Sequence, residues 1–206
     1  INEAIANGQL SGNGPFTQKC QSFFEDRWGF KRALLTTSCT DALEMAALLI
    51  DIRPGDEVIV PAYSFVSTAL AFARQGVKIV FIDSRSDHPG MDENLLEGLI
   101  TAKTKAVVPV HYAGIACDME KILEIANRHG IYVIEDAAHA INSYYKDHPL
   151  GSIGHFGCFS FHETKPIHCG EGGMLVINDE RFIERAEIIW EKGTNRAAFA
   201  RNEVKK

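Results

Sequence analysis

Short apolar runs of strand length alternate with amphipathic stretches of helical length along most of the 206 residues. This alternation is typical of an α/β domain, in which helices cover a mostly parallel sheet. The chain has no internal repeat, low-complexity tract or domain linker, so we expect one domain. The pattern predicts strands at 33–35, 57–60, 78–82, 106–110, 131–135, 157–161 and 174–177, and helices at 15–29, 41–50, 64–74, 92–100, 119–129 and 180–191.

Composition and charge exclude several classes of protein. The chain carries 21 Lys and Arg against 27 Asp and Glu, and this mild acidity is spread along its length, which argues against a nucleic-acid-binding surface. No apolar run approaches the roughly 18 residues that a membrane-spanning helix needs. The five cysteines are scattered without a CxxC pair, which fits a reducing compartment better than a disulfide framework. We therefore expect a cytoplasmic protein that binds neither nucleic acid nor membranes.

Both ends of the sequence look like interior segments of a longer protein. The first residue is Ile1, which already lies in a helical pattern, and the segment 196–206 turns polar and basic directly after a predicted helix. We therefore expect these residues to be a piece of a larger polypeptide.

An acidic residue, Asp136, follows a predicted buried strand in the segment 132–139 (YVIEDAAH). Ligands of parallel α/β sheets collect at the carboxyl ends of the strands. A carboxylate at that edge can keep a pyridinium nitrogen protonated, which makes the ring a better electron sink. Capping of a following helix by Asp136 is the alternative interpretation.

A lysine, Lys165, follows another predicted strand and precedes the glycine-rich segment 170–173 (GEGG). A lysine on a pliable loop at the sheet edge can form a Schiff base with a carbonyl cofactor, once its amine is desolvated or lies near another cation. Two ordinary interpretations stay open at this point. Lys165 can be a solvated surface lysine, and the glycines can form a tight turn between two strands.

Small hydroxyl residues lie between a short strand and a helix in the segment 36–43 (TTSCTDAL). The unpaired N–H groups of a helix N-terminus can bind a phosphate. Simple N-capping of the helix by Ser38 or Thr40 is the alternative explanation for these residues. Cys39 at this helix start is a candidate for a lowered thiol pKa, but nothing marks it as a nucleophile.

Aromatic residues follow the strand at 57–60 in the segment 61–68 (PAYSFVST). A flat ring can stack on aromatic side chains at that place, and burial in the core is the alternative.

Histidines and cysteines near the C-terminal end do not predict a metal site. Their spacings match no standard zinc pattern, and histidines at strand ends are commonly only hydrogen-bonded. The evidence for a nicotinamide-binding site is weaker still. The segment 12–14 (GNG) follows no predicted strand and lacks the third glycine of the dinucleotide-binding motif. The residues weighed as metal ligands are His148, His155, His162, His168, Cys158 and Cys169.

Taken together and in this order, these segments resemble the sugar aminotransferases of the DegT/StrS family, which use pyridoxal 5′-phosphate (PLP). The resemblance covers nearly the whole chain. It implies the three-layer α/β/α large domain of the type I aminotransferase fold, with a mostly parallel mixed sheet, of which residues 1–206 are a part. The family's small C-terminal domain then lies outside this sequence. The matching segments are 37–43 (TSCTDAL), 61–68 (PAYSFVST), 109–114 (PVHYAG), 135–140 (EDAAHA), 160–165 (SFHETK) and 170–173 (GEGG).

The resemblance assigns roles around the ring of the cofactor. It implies that Lys165 is the lysine that forms the Schiff base with PLP and that Asp136 pairs with the pyridine nitrogen. His139 occupies the position of a residue near the phenolic oxygen of the cofactor. Phe65 occupies the position of the aromatic residue that stacks on the ring.

The resemblance also implies a phosphate site and a homodimer. Ser160, together with the backbone around Cys39 and Thr40, corresponds to this subunit's share of the phosphate site. A family segment that reaches the partner's phosphate lies outside this sequence. Two residues differ from those common in the family. Pro166 lies at a position where Asn is common, and Cys39 lies at a position where Gly is frequent. A proline biases the preceding residue, Lys165, towards extended backbone.

The resemblance implies a transamination. The amino donor is L-glutamate, and the acceptor is C4 of a dTDP-4-keto-6-deoxyhexose, in nucleotide-sugar biosynthesis for a cell-surface polysaccharide such as lipopolysaccharide or enterobacterial common antigen. The strings that favour this substrate are 110–119 (VHYAGIACDM) and 186–196 (AEIIWEKGTNR). The alternatives are a truncated non-catalytic fragment and a PLP-dependent sugar dehydratase, although dehydratases of this fold characteristically have His in place of the lysine.

Overall fold

A seven-stranded sheet forms the centre of the fold. The computed structural model describes residues 1–8 and 12–204, so Lys205 and Lys206 of the polar segment 196–206 lie outside the described residues. The strands are β1 (Arg32–Thr36), β2 (Glu57–Pro61), β3 (Lys78–Ile82), β4 (Thr104–Val107), β5 (Tyr132–Asp136), β6 (Tyr144–Tyr145), β7 (His148–Pro149), β8 (Phe156–Ser160) and β9 (Gly173–Ile177). The helices are α1 (Asn2–Ala6), α2 (Pro15–Trp28), α3 (Cys39–Leu49), α4 (Val66–Ala73), α5 (Glu93–Leu99), α6 (Met119–His129), α7 (Ile183–Trp190) and α8 (Arg196–Ala200).

The sheet is mixed but mostly parallel, as predicted. Its strand order is β1-β9-β8-β5-β4-β2-β3. Strands β3, β2, β4, β5 and β8 pair in parallel, whereas β9 pairs antiparallel with both β8 and β1. The carboxyl ends of β1, β2, β4, β5 and β8 therefore meet at one edge of the sheet, together with the amino end of β9.

Helices cover both faces of this sheet, because alternate residues of each strand point to opposite sides. On β2, Val58 and Val60 are buried in a cluster that includes residues of α3, α4 and α7, whereas Ile59 is buried with residues of α5 and α6. Helix α2 packs against a third cluster around Phe159 and Met174. The predicted three-layer arrangement is confirmed. Within 1–8 and 12–204, no helix combines the length and apolar character needed to cross a membrane.

Helix α6 shows how local signals set the boundaries of an element. The side chain of Asp118 caps its N-terminus, and Gly130 ends it in the left-handed region with φ 66°. Its predicted apolar face is buried, with Ile122 and Ala126 at 0% exposure and Ile125 at 4%. The predicted range 119–129 is confirmed residue for residue.

Two predicted elements differ in the structure, and three further elements were not predicted. The strand predicted at 106–110 ends at Val107, because Pro109 has no amide hydrogen to give to a neighbouring strand. The helix predicted at 180–191 divides into a 3₁₀ turn (Glu180–Phe182) and α7, since the Asp179 side chain accepts the amide of Arg181 and caps the turn separately. The short ribbon of β6 and β7 and the helix α8 were not predicted.

A fully buried carboxylate connects three segments of the fold. Glu135 accepts hydrogen bonds from the amide N–H groups of Gly151 (2.7 Å), Ile153 (2.7 Å) and Gly154 (2.6 Å), and from the Nε2 atom of His111 (2.9 Å). Both Glu135 and His111 are completely shielded from solvent. Buried charges are tolerated only when such bonds satisfy them, so these contacts account for a carboxylate in the core.

The hydrogen bonds of His111 also define its tautomer. Its Nδ1 atom accepts the amide N–H of Cys117 at 3.3 Å, so the ring proton lies on Nε2 and is donated to Glu135. The segment 109–114 is thereby joined to β5.

We expect Glu135→Gln to destabilise the protein by about 3 kcal/mol, because an amide nitrogen cannot accept the buried N–H groups that the carboxylate accepts. The free energy of unfolding in urea measures this loss. The matched control is Glu120→Gln, which changes a carboxylate in an exposed ion pair with Lys146 and is expected to cost less than about 1 kcal/mol. Equal losses in the two variants would contradict the assigned role of Glu135.

Candidate active site

A pocket of about 340 Å³ lies at the sheet edge where β1, β5 and β8 end. Residues of α3, α4, β5 and β8 and of the loops beside them line it, because the parallel strands all end on this side. The structure brings every predicted cofactor residue into its wall. These are Cys39, Thr40, Phe65, Asp136, His139, Ser160 and Lys165.

The amine of Lys165 lies 2.8 Å from the Nε2 atom of His139. Lys165 is half-buried and lines the pocket, so its interpretation as a solvated surface lysine is wrong. The Nδ1 atom of His139 accepts the amide N–H of Ala113 at 3.1 Å, which leaves Nε2 to face the amine. Lys165 and His139 therefore form a contact pair between the loop that follows β8 and the loop that follows β5.

The environment of His139 favours its neutral form. Burial lowers the pKa of His139, the positive charge of Lys165 lowers it further, and the carboxylate of Asp136 opposes both. The imidazole is therefore uncharged at pH 7 and contacts the lysine without like-charge repulsion.

Asp136 ends β5 and is buried against the pocket. Its Oδ2 atom accepts the hydroxyl of Thr68 at 2.7 Å, and its Oδ1 atom accepts the amide N–H of Ala138 at 3.1 Å. No helix begins in the segment 137–143, so the helix-capping interpretation of Asp136 is wrong. The carboxylate is a pocket residue with two defined hydrogen-bond donors.

The start of α3 forms another wall of the pocket. Ser38 is the N-cap of α3, since its hydroxyl accepts the amide N–H of Asp41 at 3.1 Å. The capping interpretation is thus confirmed, and the same turn also faces the pocket. A helix N-terminus directed at a cavity presents unpaired N–H groups to an anion.

Gly173 allows α3 to begin directly on the sheet edge. It pairs with Thr36 of β1 on one side and with Ser160 of β8 on the other. A Cβ atom at Gly173 would lie 2.2 Å from the carbonyl carbon of Ser38, closer than any side chain permits. The sequence suggested a flexible loop or a tight turn for these glycines, and it did not predict this close approach.

The thiol of Cys39 is not acidic, contrary to the expectation from its place at a helix start. Burial raises the pKa of the Cys39 thiol, and the nearby Asp136 and Cys158 raise it further, although Lys165 acts in the opposite direction. A buried neutral thiol has little nucleophilic character.

Aromatic side chains lie exposed in the pocket wall and next to it. Phe65 is 72% exposed and Tyr63 is 52% exposed, so the interpretation of these aromatics as core residues is wrong. The ring of Tyr63 lies 4.7 Å from that of Tyr112, which in turn contacts His139 edge-on at 5.0 Å. Tyr112 was missed as a site residue, although it lies in the quoted segment 109–114.

Hydroxyl residues within and just before α4 were also missed. Thr68 donates to Asp136, Ser64 contacts Thr68 at 2.6 Å, and the hydroxyl of Thr40 contacts that of Ser67 at 2.9 Å. Ser64 precedes α4 and Thr68 lies in its first turn, and both belong to the segment 61–68 quoted from the sequence.

The structure does not assemble the histidines and cysteines weighed as metal ligands. In the part of the chain that is described, no group of three or more His, Cys, Asp or Glu side chains is arranged to bind a metal ion.

The family model of the DegT/DnrJ/EryC1/StrS aminotransferases matches residues 1–206. The chain belongs to the DegT/DnrJ/EryC1/StrS aminotransferase family. This finding confirms the resemblance and, with the sheet and layers above, the predicted fold class.

Two curated relatives of this aminotransferase family are similar over almost the whole chain. The spore coat polysaccharide biosynthesis protein SpsC of Bacillus subtilis (strain 168) is 41% identical over 98% of this chain and 51% of its own length. The GDP-perosamine synthase of Caulobacter vibrioides is 39% identical over 93% of this chain and 52% of its own length. The chain thus spans about half the length of these relatives.

Two solved structures share the fold of this chain. The aminotransferase from Psychrobacter cryohalolentis superposes with a TM-score of 0.93 and 32% identity, over 100% of this chain and 52% of that one. NtdA from Bacillus subtilis, with the bound cofactor PMP, gives a TM-score of 0.84 and 30% identity, over 91% of this chain and 42% of that one.

The pKa of His139 provides a test of the pocket's electrostatics. We expect NMR titration to give a pKa below the ordinary value of about 6.5, and Lys165→Met to raise it because a neighbouring cation is lost. Since the unfolded chain binds the proton more readily, the stability due to the neutral ring is present above about pH 6.5 and is lost as the pH falls towards the folded pKa.

His155 is the internal control for this titration. Burial also lowers its pKa, but its charged neighbours are Asp179 and Arg181 rather than Lys165. Lys165→Met should therefore leave His155 unchanged. A His139 titration that does not respond to Lys165→Met would contradict the contact between the two side chains.

Proposed function

We propose that the protein containing this chain is a PLP-dependent aminotransferase that acts on a nucleotide-linked keto sugar. The observation that carries this proposal is the 2.8 Å contact between the amine of Lys165 and His139, in a pocket that also contains the carboxylate of Asp136. Family membership supports the same chemistry.

The donor set of the pocket fits the chemical parts of PLP. The N-terminus of α3 and the hydroxyl of Ser160 suit the phosphate, and Gly173 provides the space that lets them lie side by side. Asp136 suits a protonated pyridine nitrogen, and the amine of Lys165 suits the aldehyde carbon.

Two further residues suit the ring itself. Phe65 presents an exposed aromatic face to the pocket, on which a flat heterocycle can stack. His139, with its proton on Nε2, can donate to an oxygen beside the Lys165 amine. We therefore assign both to the ring of the cofactor.

The residues of the chain then divide the catalytic work. When bound, PLP supplies a pyridinium ring that accepts the electron pair released as the Cα–H bond of the amino donor breaks. The Nζ atom of Lys165 removes that proton and later returns it, and His139 lies in contact with that atom. Asp136 stabilises the positive charge of the ring nitrogen.

We propose L-glutamate as the amino donor and C4 of a dTDP-4-keto-6-deoxyhexose as the acceptor. The segments 110–119 and 186–196 support this choice through their resemblance to dTDP-4-amino-4,6-dideoxygalactose transaminases. The name of GDP-perosamine synthase supports a sugar substrate, and the name of SpsC supports a role in polysaccharide synthesis. We propose that the polysaccharide is one such as lipopolysaccharide or enterobacterial common antigen. The presence of Lys165 favours transamination over sugar dehydration.

We also propose the wider organisation of the enzyme. Residues 1–206 are then part of the large PLP-binding domain, with a small C-terminal domain in the remainder, since the chain spans about half the length of its relatives. The functional form is a homodimer whose partner completes the phosphate site. A cytoplasmic location is supported by the five cysteines, all of which are free thiols.

We expect Lys165→Ala in the full-length protein to abolish turnover, because, among the described residues that line the pocket, Lys165 is the one with an amine that can bond the cofactor aldehyde and move the proton. The visible absorption of the lysine-bound cofactor should also be lost, and borohydride should no longer fix PLP to the protein. Lys103→Ala, at an exposed lysine near the amino ends of the strands, is the matched control and should retain both signals. Retained turnover in Lys165→Ala would remove Lys165 from the mechanism.

The substrate proposal predicts an aminated product from dTDP-4-keto-6-deoxyglucose and L-glutamate. NMR of the product should place nitrogen at C4, and the GDP-linked sugar should react more slowly under the same conditions. Nitrogen at C3, or a preference for the GDP sugar, would contradict the proposed substrate but not the transamination. Loss of a hydroxyl without amination would instead identify a dehydratase, and failure to bind PLP would identify a non-catalytic chain.

A further inference from the structure

The first turn of α4 contacts the pocket at three separate points. Phe65, the N-cap residue of α4, presents its ring to the pocket opening. Ser67 accepts the hydroxyl of Thr40 at 2.9 Å, next to the start of α3. Thr68 donates to Asp136 at 2.7 Å. One helical turn therefore joins the proposed ring face, the phosphate end and the carboxylate end of the site.

The direction of the hydrogen bonds at Thr68 follows from its single proton. An ionised carboxylate can only accept, so the Thr68 hydroxyl donates to the Oδ2 atom of Asp136. Thr68 is only 1% exposed, and its oxygen lies 2.6 Å from the hydroxyl of Ser64. Ser64 must then be the donor in that second contact. The two hydroxyls form a chain polarised towards Asp136.

Asp136 depends on few protein groups for its orientation. Among the described residues, the other donor to its carboxylate is the amide N–H of Ala138, at 3.1 Å on Oδ1. That bond is local in sequence and belongs to the turn after β5. The Thr68 bond is the contact that ties the carboxylate to a second element, 68 residues away along the chain.

We propose that Thr68, oriented by Ser64, is a positioning residue that aligns the Asp136 carboxylate for the pyridine nitrogen of PLP. By donating to Oδ2 it stabilises the ionised carboxylate and restricts its rotation, so that the remaining acceptor positions face the pocket. The inference rests on the proposed function for the identity of the ring. It adds a residue that acts on the cofactor through Asp136 without touching it.

The test compares Thr68→Val and Thr68→Ser in the full-length protein. Valine keeps the shape of threonine but removes the donor, so we expect PLP to bind on the order of tenfold more weakly, as measured by equilibrium dialysis. The pH dependence of the bound cofactor's absorption should shift, and kcat for the glutamate half-reaction should fall with little change in KM. Serine keeps the donor and should restore each value to within about threefold of wild type.

Thr101→Val is the matched control, because Thr101 also donates to a carboxylate. Its hydroxyl lies 2.6 Å from the Oε2 atom of Glu57, at the amino end of β2 and away from the pocket. Melting of the apoproteins measures the purely structural cost of each valine substitution. We expect Thr101→Val to leave PLP affinity and the absorption profile unchanged.

The outcomes separate this inference from the proposed function. If wild type binds PLP and Thr68→Val binds it equally well with the same absorption profile, the positioning role is wrong and the proposed function stands. If Thr68→Val and Thr101→Val change the PLP affinity and the melting temperature of the apoprotein to the same extent, Thr68 has only a structural role. A wild-type protein that does not bind PLP would overturn both proposals.

Discussion

The site depends on the buried hydrogen bonds of Glu135. Neighbouring residues of a strand point to opposite faces, so Glu135 is directed to the core while Asp136 is directed to the pocket. The bonds of Glu135 to His111 and to the segment 151–154 fix the end of β5. His111 in turn begins the turn that brings the amide of Ala113 to His139. The orientation of His139, which contacts Lys165, therefore depends on a carboxylate that is fully buried.

The charged and neutral groups of the pocket occupy different parts of its wall. The carboxylate of Asp136 lies at one end, the neutral His139 and the amine of Lys165 lie beside it, and the N-terminus of α3 lies on another wall. This order suits a ligand with a cationic ring nitrogen, a carbonyl carbon and an anionic phosphate. The first turn of α4 connects these ends through Thr68 and Ser67, which gives the proposed cofactor site rigidity from one short element.

Much of the fold was predictable because its local and global preferences agree. In α6, the cap at Asp118, the apolar face and Gly130 all indicate the same helix, and the prediction is confirmed at both ends. Prediction was wrong where a local signal competed with the pattern. Pro109 ended β4 early, and Asp179 capped a separate turn ahead of α7. Strand β9 has the same apolar sequence pattern as the parallel strands, and only its pairing with β1 and β8 shows that it runs antiparallel to them.

The sequence by itself determined most of the elements, a helix start near Ser38 or Thr40 and, through its motifs, the family and the residues Asp136 and Lys165 as cofactor candidates. Those signals are local, because helix or strand propensity, capping residues and motifs each depend on residues that are close in the sequence. Only the tertiary structure decided that Thr68 donates to Asp136 and that Gly173 must lack a side chain against Ser38. Such contacts arise from strand register and helix packing between distant segments, and no short stretch of sequence contains that information.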